Sequence, residues 1–293
     1  MMFILLAILS STFIFIIFKL FNQFNIKPFQ AIIINYVVAG TIGFIFTSND
    51  GSYINIYKSK WIFFALFIGI LLLITFLLIQ YSTQHIGMTI TTVACKMSVV
   101  FPVMVSIFYF HEKIILSKIA GIILALISIF LLIKKENTPQ KKKKLFLMLL
   151  PIWLFIGLGT CDSLVKIVQQ IYISKGEESL FTSSLFSFSL LAGLVYGIFT
   201  KDFFKKFLHL YTLLAGIFIG LANYGSMYFL ICALNYSHID SSIVFGLVNI
   251  GIIACSLFIG SLFFHEKMLL TNKIGIFIAF ISIIFMTISQ WHG

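Results

Sequence analysis

The chain has 293 residues, of which 60% are hydrophobic and only 10% charged, against about 25% charged in an average soluble domain. So few charges cannot cover a globular surface, and the same arithmetic excludes disorder, a disulfide scaffold and a nucleic-acid-binding module. The formal charge of +11 is all lysine (20 Lys, no Arg), and most lysines stand in gaps between apolar runs, where they suit anionic lipid headgroups.

About 20 apolar residues cross a bilayer as a helix. The apolar runs predict ten such spans: 2–20, 30–46, 61–80, 88–110 and 118–133, then 145–173, 180–199, 211–234, 241–264 and 272–289. The N-terminus is apolar from Met1, with no basic leader and no small-residue cleavage site, which reads as a first span and not a removed signal peptide. Breaks carry turn signals such as Lys27-Pro28, Asn49-Asp50-Gly51 and His85-Ile86-Gly87. The most polar stretch, 134–144 (KKENTPQKKKK), lies near the middle and reads as a linker between residues 1–133 and 145–293. The four cysteines, Cys95, Cys161, Cys232 and Cys255, all fall inside apolar runs without CxxC spacing, as small buried hydrophobes do. Trp61 and Trp291 stand at span ends, where interfacial anchors are expected; Trp153 reads as a lining aromatic or as plain packing.

The halves resemble each other. Phe110-His111-Glu112-Lys113 recurs as Phe264-His265-Glu266-Lys267, and 11 of the 23 positions 110–132 are identical at that offset of 154, Gly121 with Gly275 and Ser128 with Ser282 among them. Upstream, at an offset of 153, His85 matches His238 and Ala39-Gly40 matches Ala192-Gly193. The repeat therefore covers most of each half. Each half holds five spans, an odd number, so the second half enters the membrane in the opposite direction. The expected fold is an all-α membrane protein of ten transmembrane helices in two inverted five-helix repeats, an arrangement found in many secondary transporters.

Each repeat carries a Glu just after its fourth span and a Gly nine residues on: Glu112 with Gly121, and Glu266 with Gly275; Pro102 lies in the fourth span. On these residues, the repeat and the span count, the chain resembles the drug/metabolite transporter superfamily, specifically its ten-helix EamA-type carriers, over essentially its whole length. It departs from that pattern in the ninth span, where Ala254 or Cys255 stands in place of proline. The resemblance implies a polytopic carrier of small metabolites, a central cavity lined from both halves, and cytoplasmic termini. With the termini inside, thirteen loop lysines face out and five face in, which by the positive-inside rule argues the other way.

Three ionisable residues lie well inside spans: Lys96, Asp162 and Lys166. Such groups usually face a cavity and mark a substrate or ion path. Asp162 and Lys166 are four apart, on one helix face, and read either as a local ion pair or as a substrate site. Asp162, the only acid deep in a span, is the candidate for proton coupling. Thr89 and Thr92 share the face of Lys96. The corresponding position of the second half is Asn249, with Ser242 and Ser256 at heptad spacing on its face. These two stripes read as facing walls of one cavity, or as hydrogen-bonding glue between helices; Asn35, Asn223 and Tyr224 read the same two ways. The spans sum to +1, so Lys96 suits an anionic group on the substrate. The two His-Glu-Lys turns read as loop caps or interfacial anchors, since adjacent His and Glu side chains do not easily reach one ion.

The sequence thus points to a secondary transporter of small organic metabolites, amino acids or organic acids, working by alternating access in the cell (inner) membrane. Its expected partners are a small-molecule substrate, lipid and protons, with no nucleic acid, no cofactor and no metal. Multidrug efflux is the rival in the same class, and positive intramembrane charge disfavours it for cationic drugs. An intramembrane enzyme needs a converging nucleophile and base, and no such motif is present.

Overall fold

A computed structural model describes residues 2–47, 59–111, 116–133, 141–173, 178–199, 209–236, 241–266 and 268–288. Among the described residues every regular element is a helix: α1 (Met2–Leu20), α2 (Pro28–Thr47), α3 (Ile62–His85), α4 (Met88–Met97), α5 (Val100–Phe108), α6 (Leu116–Ile133), α7 (Lys141–Tyr172), α8 (Glu178–Ile198), α9 (Leu210–Tyr236), α10 (Ser241–Leu262) and α11 (Leu270–Ile288). Seven described stretches are long and apolar enough to cross a membrane, and three shorter apolar helices accompany them. Helices stand at all ten expected places, with ends within five residues of those expected and the fourth in two pieces.

Three expectations are corrected. The fourth span is two helices, α4 and α5, not one. Pro102 lacks an N–H to continue the ladder, and its ring clashes with the carbonyl four residues back, that of Ser98. The chain answers with a tight turn, Ser98 and Val99 taking φ near −55° and ψ near −20°, while Phe101 N closes on Ser98 O at 3.0 Å. Second, the last four linker lysines, Lys141–Lys144, belong to α7; lysine is a good helix former. The 32 residues of α7 run roughly 48 Å, well past a hydrocarbon core of about 30 Å. Third, Trp61 is no interfacial anchor. It is 1% exposed and stands edge-on to Phe181, ring centres 5.5 Å apart, in a core with Ala65, Ile68, Val168 and Leu180. Trp291 lies outside the described residues, and Trp153 is half exposed.

The chain forms two compact units, and each takes segments from both sequence halves. Unit 1 comprises residues 1–19, 78–159 and 225–293; unit 2 comprises 20–77 and 160–224.

In unit 1, α6 packs on α11. Ser128 Oγ donates to Gly275 O and Ser282 Oγ donates to Gly121 O, both at 2.8 Å. Positions rise on one helix as they fall on the other, so the pair is antiparallel, and each bond is the other's counterpart at the 154-residue offset. The helices meet this closely because Gly121 and Gly275 present no side chain: a Cβ on Gly121 would lie 3.1 Å from Ser282 O, and one on Gly275 3.2 Å from Ser128 O.

In unit 2 the same reciprocity joins α2 to α8. Gly40 faces Phe186, and Gly193 faces Ile33, again matched residues in antiparallel register. Here Tyr36 Oη donates to Leu72 O at 3.1 Å and Ser189 Oγ to Gly69 O at 2.8 Å, tying α3 to α2 and to α8.

Candidate functional site

The interruption between α4 and α5 sets the geometry. Lys96 lies in the last turn of α4 and is the ninth residue of the 18-residue apolar stretch Met88–Val105. It therefore sits near mid-span, beside the broken turn, and is half-buried. Discontinuous helices at mid-membrane are where many carriers place substrate, because the break frees backbone polar groups to line a cavity.

The other end of α4 is built around a residue read from sequence only as part of a turn. Gly87 holds φ of 107°, a conformation glycine takes readily, and α4 begins with no side-chain cap of its own. The missing cap arrives from Glu266, 178 residues later. Its Oε1 accepts Met88 N at 2.6 Å, and its Oε2 accepts Thr89 N at 3.1 Å and faces Thr89 Oγ1 at 3.0 Å. Lys19 Nζ, from the last turn of α1, completes the set at 2.7 Å from Oε1. A carboxylate at a helix N-terminus satisfies free N–H groups and complements the helix dipole. The Glu266 side chain is 8% exposed and Lys19 20%. Lys19 also lies 5.9 Å from the Phe264 ring centre, and Gln84 Nε2 donates to the carbonyls of Phe18 and Lys19. The C-terminal end of α1, the last turn of α3, the start of α4 and the turn after α10 are thus tied together.

The His-Glu-Lys turns share a backbone device. His111 and His265 take φ of 53° and 49°, the left-handed conformation that ends helices. His265 is exposed while Glu266 beside it is buried in the α4 cap, so the two side chains serve different surroundings. Glu112, the counterpart of Glu266, lies outside the described residues.

Of the residues proposed from sequence, unit 1 holds Lys96, Thr89, Thr92, Asn249 and Ser256, and unit 2 holds Asp162 and Lys166. The two stripes do meet at one point: Thr89 Oγ1 lies 3.2 Å from Ser256 O. Thr89, Thr92 and Ser256 are 0% exposed. Thr92 donates to Met88 O at 2.8 Å, an intrahelical bond that a pure packing role also produces. Ser256 Oγ is buried without a hydrogen-bond partner among the described residues. Asn249 is half-buried. Ser242 is the second residue of α10, and its side chain lies outside the described residues. On α7, Asp162 is exposed and Lys166 half-buried. Asn223 Nδ2 donates to Asn35 Oδ1 at 3.2 Å, which is the interhelical glue expected of such residues. The Lys19–Glu266 pair was missed from sequence because its members are 247 positions apart; the one available signal was that Glu266 belongs to the repeated turn.

Residues 1–134 match the EamA-like transporter family. A protein of Haemophilus influenzae (strain ATCC 51907 / DSM 11121 / KW20 / Rd), itself described only as uncharacterized, is 30% identical over 281 residues, covering 93% of both chains. With its repeated Glu–Gly motif, its Pro102 break and its stack of apolar helices, the chain belongs to the EamA-like transporter family, and by that membership is an integral multi-pass membrane transporter of small molecules.

Proposed function

We propose that this protein is a secondary carrier that moves small organic solutes bearing an anionic group, amino acids or organic acids, across the cell (inner) membrane by alternating access of two inverted repeats. The observation that carries the reading is the mid-span lysine at a broken helix: Lys96 in the last turn of α4, beside the Ser98–Val99 turn. An ammonium held there has a ready use in recognising a carboxylate. Two further features support it. Counting seven residues on along α4 and seven back along α10 from the Thr89–Ser256 contact leads to Lys96 and Asn249, so antiparallel helices would set these two side by side. The orphan hydroxyl of Ser256 is a cost of about 1–3 kcal/mol that a ligand hydrogen bond could recover in another state of the cycle. The reciprocal antiparallel pairing of α6 with α11 and of α2 with α8 supports the inverted-repeat reading, since a two-fold axis in the membrane plane produces it.

Labelled amino acids, sugars and organic acids taken up into proteoliposomes test the proposal. The expected result is saturable uptake of an anionic or zwitterionic solute by the parent and none by Lys96→Ala of equal thermal stability. Unimpaired transport by that variant, or a substrate without an anionic group, overturns the assignment. Chemical conversion of a solute without vectorial movement would point to an enzyme instead.

A further inference from the structure

We propose that the Glu266 carboxylate is a releasable latch. Its bonds to Lys19 and to the start of α4 hold unit 1 shut at the membrane face opposite the N-terminus, and they break and re-form in each transport cycle. The inference rests on the carrier reading above.

The latch joins elements from the two sequence halves: α1 and α4 from the first, the turn after α10 from the second. It is made of charge-assisted hydrogen bonds, strong when aligned and lost abruptly when geometry changes. The α6–α11 seam in the same unit is built differently, from backbone-to-backbone approach at two glycines, which suits a fixed joint. Glycines on two sides of the carboxylate leave room for it: a Cβ on Gly87, just before α4, would lie 2.9 Å from Glu266 Oε1, and one on Gly260 of α10 2.8 Å from Oε2. Directly beneath are Thr89 and Ser256, both 0% exposed, and Lys96 follows seven residues on, roughly 10 Å along α4. Finally, α4 is a ten-residue helix that ends at the Ser98–Val99 turn. Pinned by Glu266 at one end and broken at the other, it can tilt as a lever when the pin is released. Glu266 is accordingly a positioning residue for α4.

The test is the accessibility of Ser256→Cys to a membrane-impermeant maleimide added from the face opposite the N-terminus. Peptide mass spectrometry separates that site from the native cysteines. Labelling is expected to be slow in the parent background, about tenfold or more faster with Glu266→Gln, and faster by about two- to fivefold with Lys19→Met, which removes only the partly exposed ion pair. Lys19→Met leaves the cap on Met88 and Thr89 in place, so it isolates the latch from helix capping. Ser282→Cys, equally buried in the α6–α11 seam, serves as control and stays slow. Three outcomes overturn the latch: parental labelling in both folded variants, acceleration with Glu266→Gln but not Lys19→Met, or equal acceleration at Ser282→Cys. Solute flux by the parent is measured separately, so a failed carrier reading shows there and not in the labelling.

Discussion

Replacing Glu266 with alanine should destabilise the protein by about 2–4 kcal/mol, and the figure follows from who is left behind. The carboxylate accepts Met88 N at 2.6 Å and Thr89 N at 3.1 Å, and both residues are 0% exposed. Each stranded N–H costs about 1–3 kcal/mol; water entering the vacated space trims the upper end. The other two donors add little. Thr89 Oγ1 still has Ser256 O at 3.2 Å, and Lys19, 20% exposed, can turn its ammonium toward water, so its ion pair is worth about 1 kcal/mol or less. Lys19→Met should therefore cost much less than Glu266→Ala, and Glu266→Gln, which keeps one acceptor but sets an NH2 against a donor, should fall between. Unfolding of purified protein in mixed micelles would measure the series. A Glu266→Ala protein within about 0.5 kcal/mol of the parent, or a Lys19→Met protein as unstable as Glu266→Ala, would refute the reasoning.

The α6–α11 seam predicts an asymmetric pair: a Cβ on Gly121 lands 2.6 Å from Met286 Cγ and 3.1 Å from Ser282 O, whereas one on Gly275 comes no nearer than 3.1 Å to anything. Gly121→Ala should cost about 1–3 kcal/mol and Gly275→Ala less, read from the same unfolding curves; equal costs would contradict the geometry. At the left-handed positions His111 and His265, alanine should be near neutral, because histidine already bears the same Cβ penalty, and glycine should relieve up to about 1 kcal/mol of it, with transport by either histidine variant within a few-fold of the parent. If Asp162 carries the coupling proton, Asp162→Asn should abolish the response of substrate uptake to an imposed pH gradient; a parent protein indifferent to that gradient removes the assignment.

Much of the architecture was legible because bilayer thickness leaves only long apolar runs available, and the run ends name the helix ends to within a few residues. Where the sequence reading failed, a tertiary contact decided. Pro102 was visible, but an apolar run does not distinguish a kinked span from a broken one, and the break fell where Ser98 O has no N–H four residues on and takes Phe101 N instead. Trp61 looked like an anchor because it stands at a span end, yet Phe181 and Leu180, over a hundred positions away, cover it. Glu266 sat in a turn whose repetition was plain from the chain, but the donors that claim it come from α1 and α4, and no local pattern names partners that distant.

The division into compact units follows from the repeat itself. Had each sequence half folded on its own, the two copies of a matched helix would lie in different units. Instead α6 and α11 share unit 1, and α2 and α8 share unit 2, each helix packed antiparallel on its own counterpart. Matched residues then meet in pairs, Ser128 with Gly275 and Ser282 with Gly121. A single small-residue face so serves twice, once in each copy, and any change to one copy alters a contact whose partner is its own repeat. This places a physical constraint on how far the halves can diverge. Glycine and the serine hydroxyl must stay matched across the seam, while residues turned away from it are free to differ. Lys96 and Asn249 are counterparts at the 153-residue offset, and there the two copies carry different chemistry.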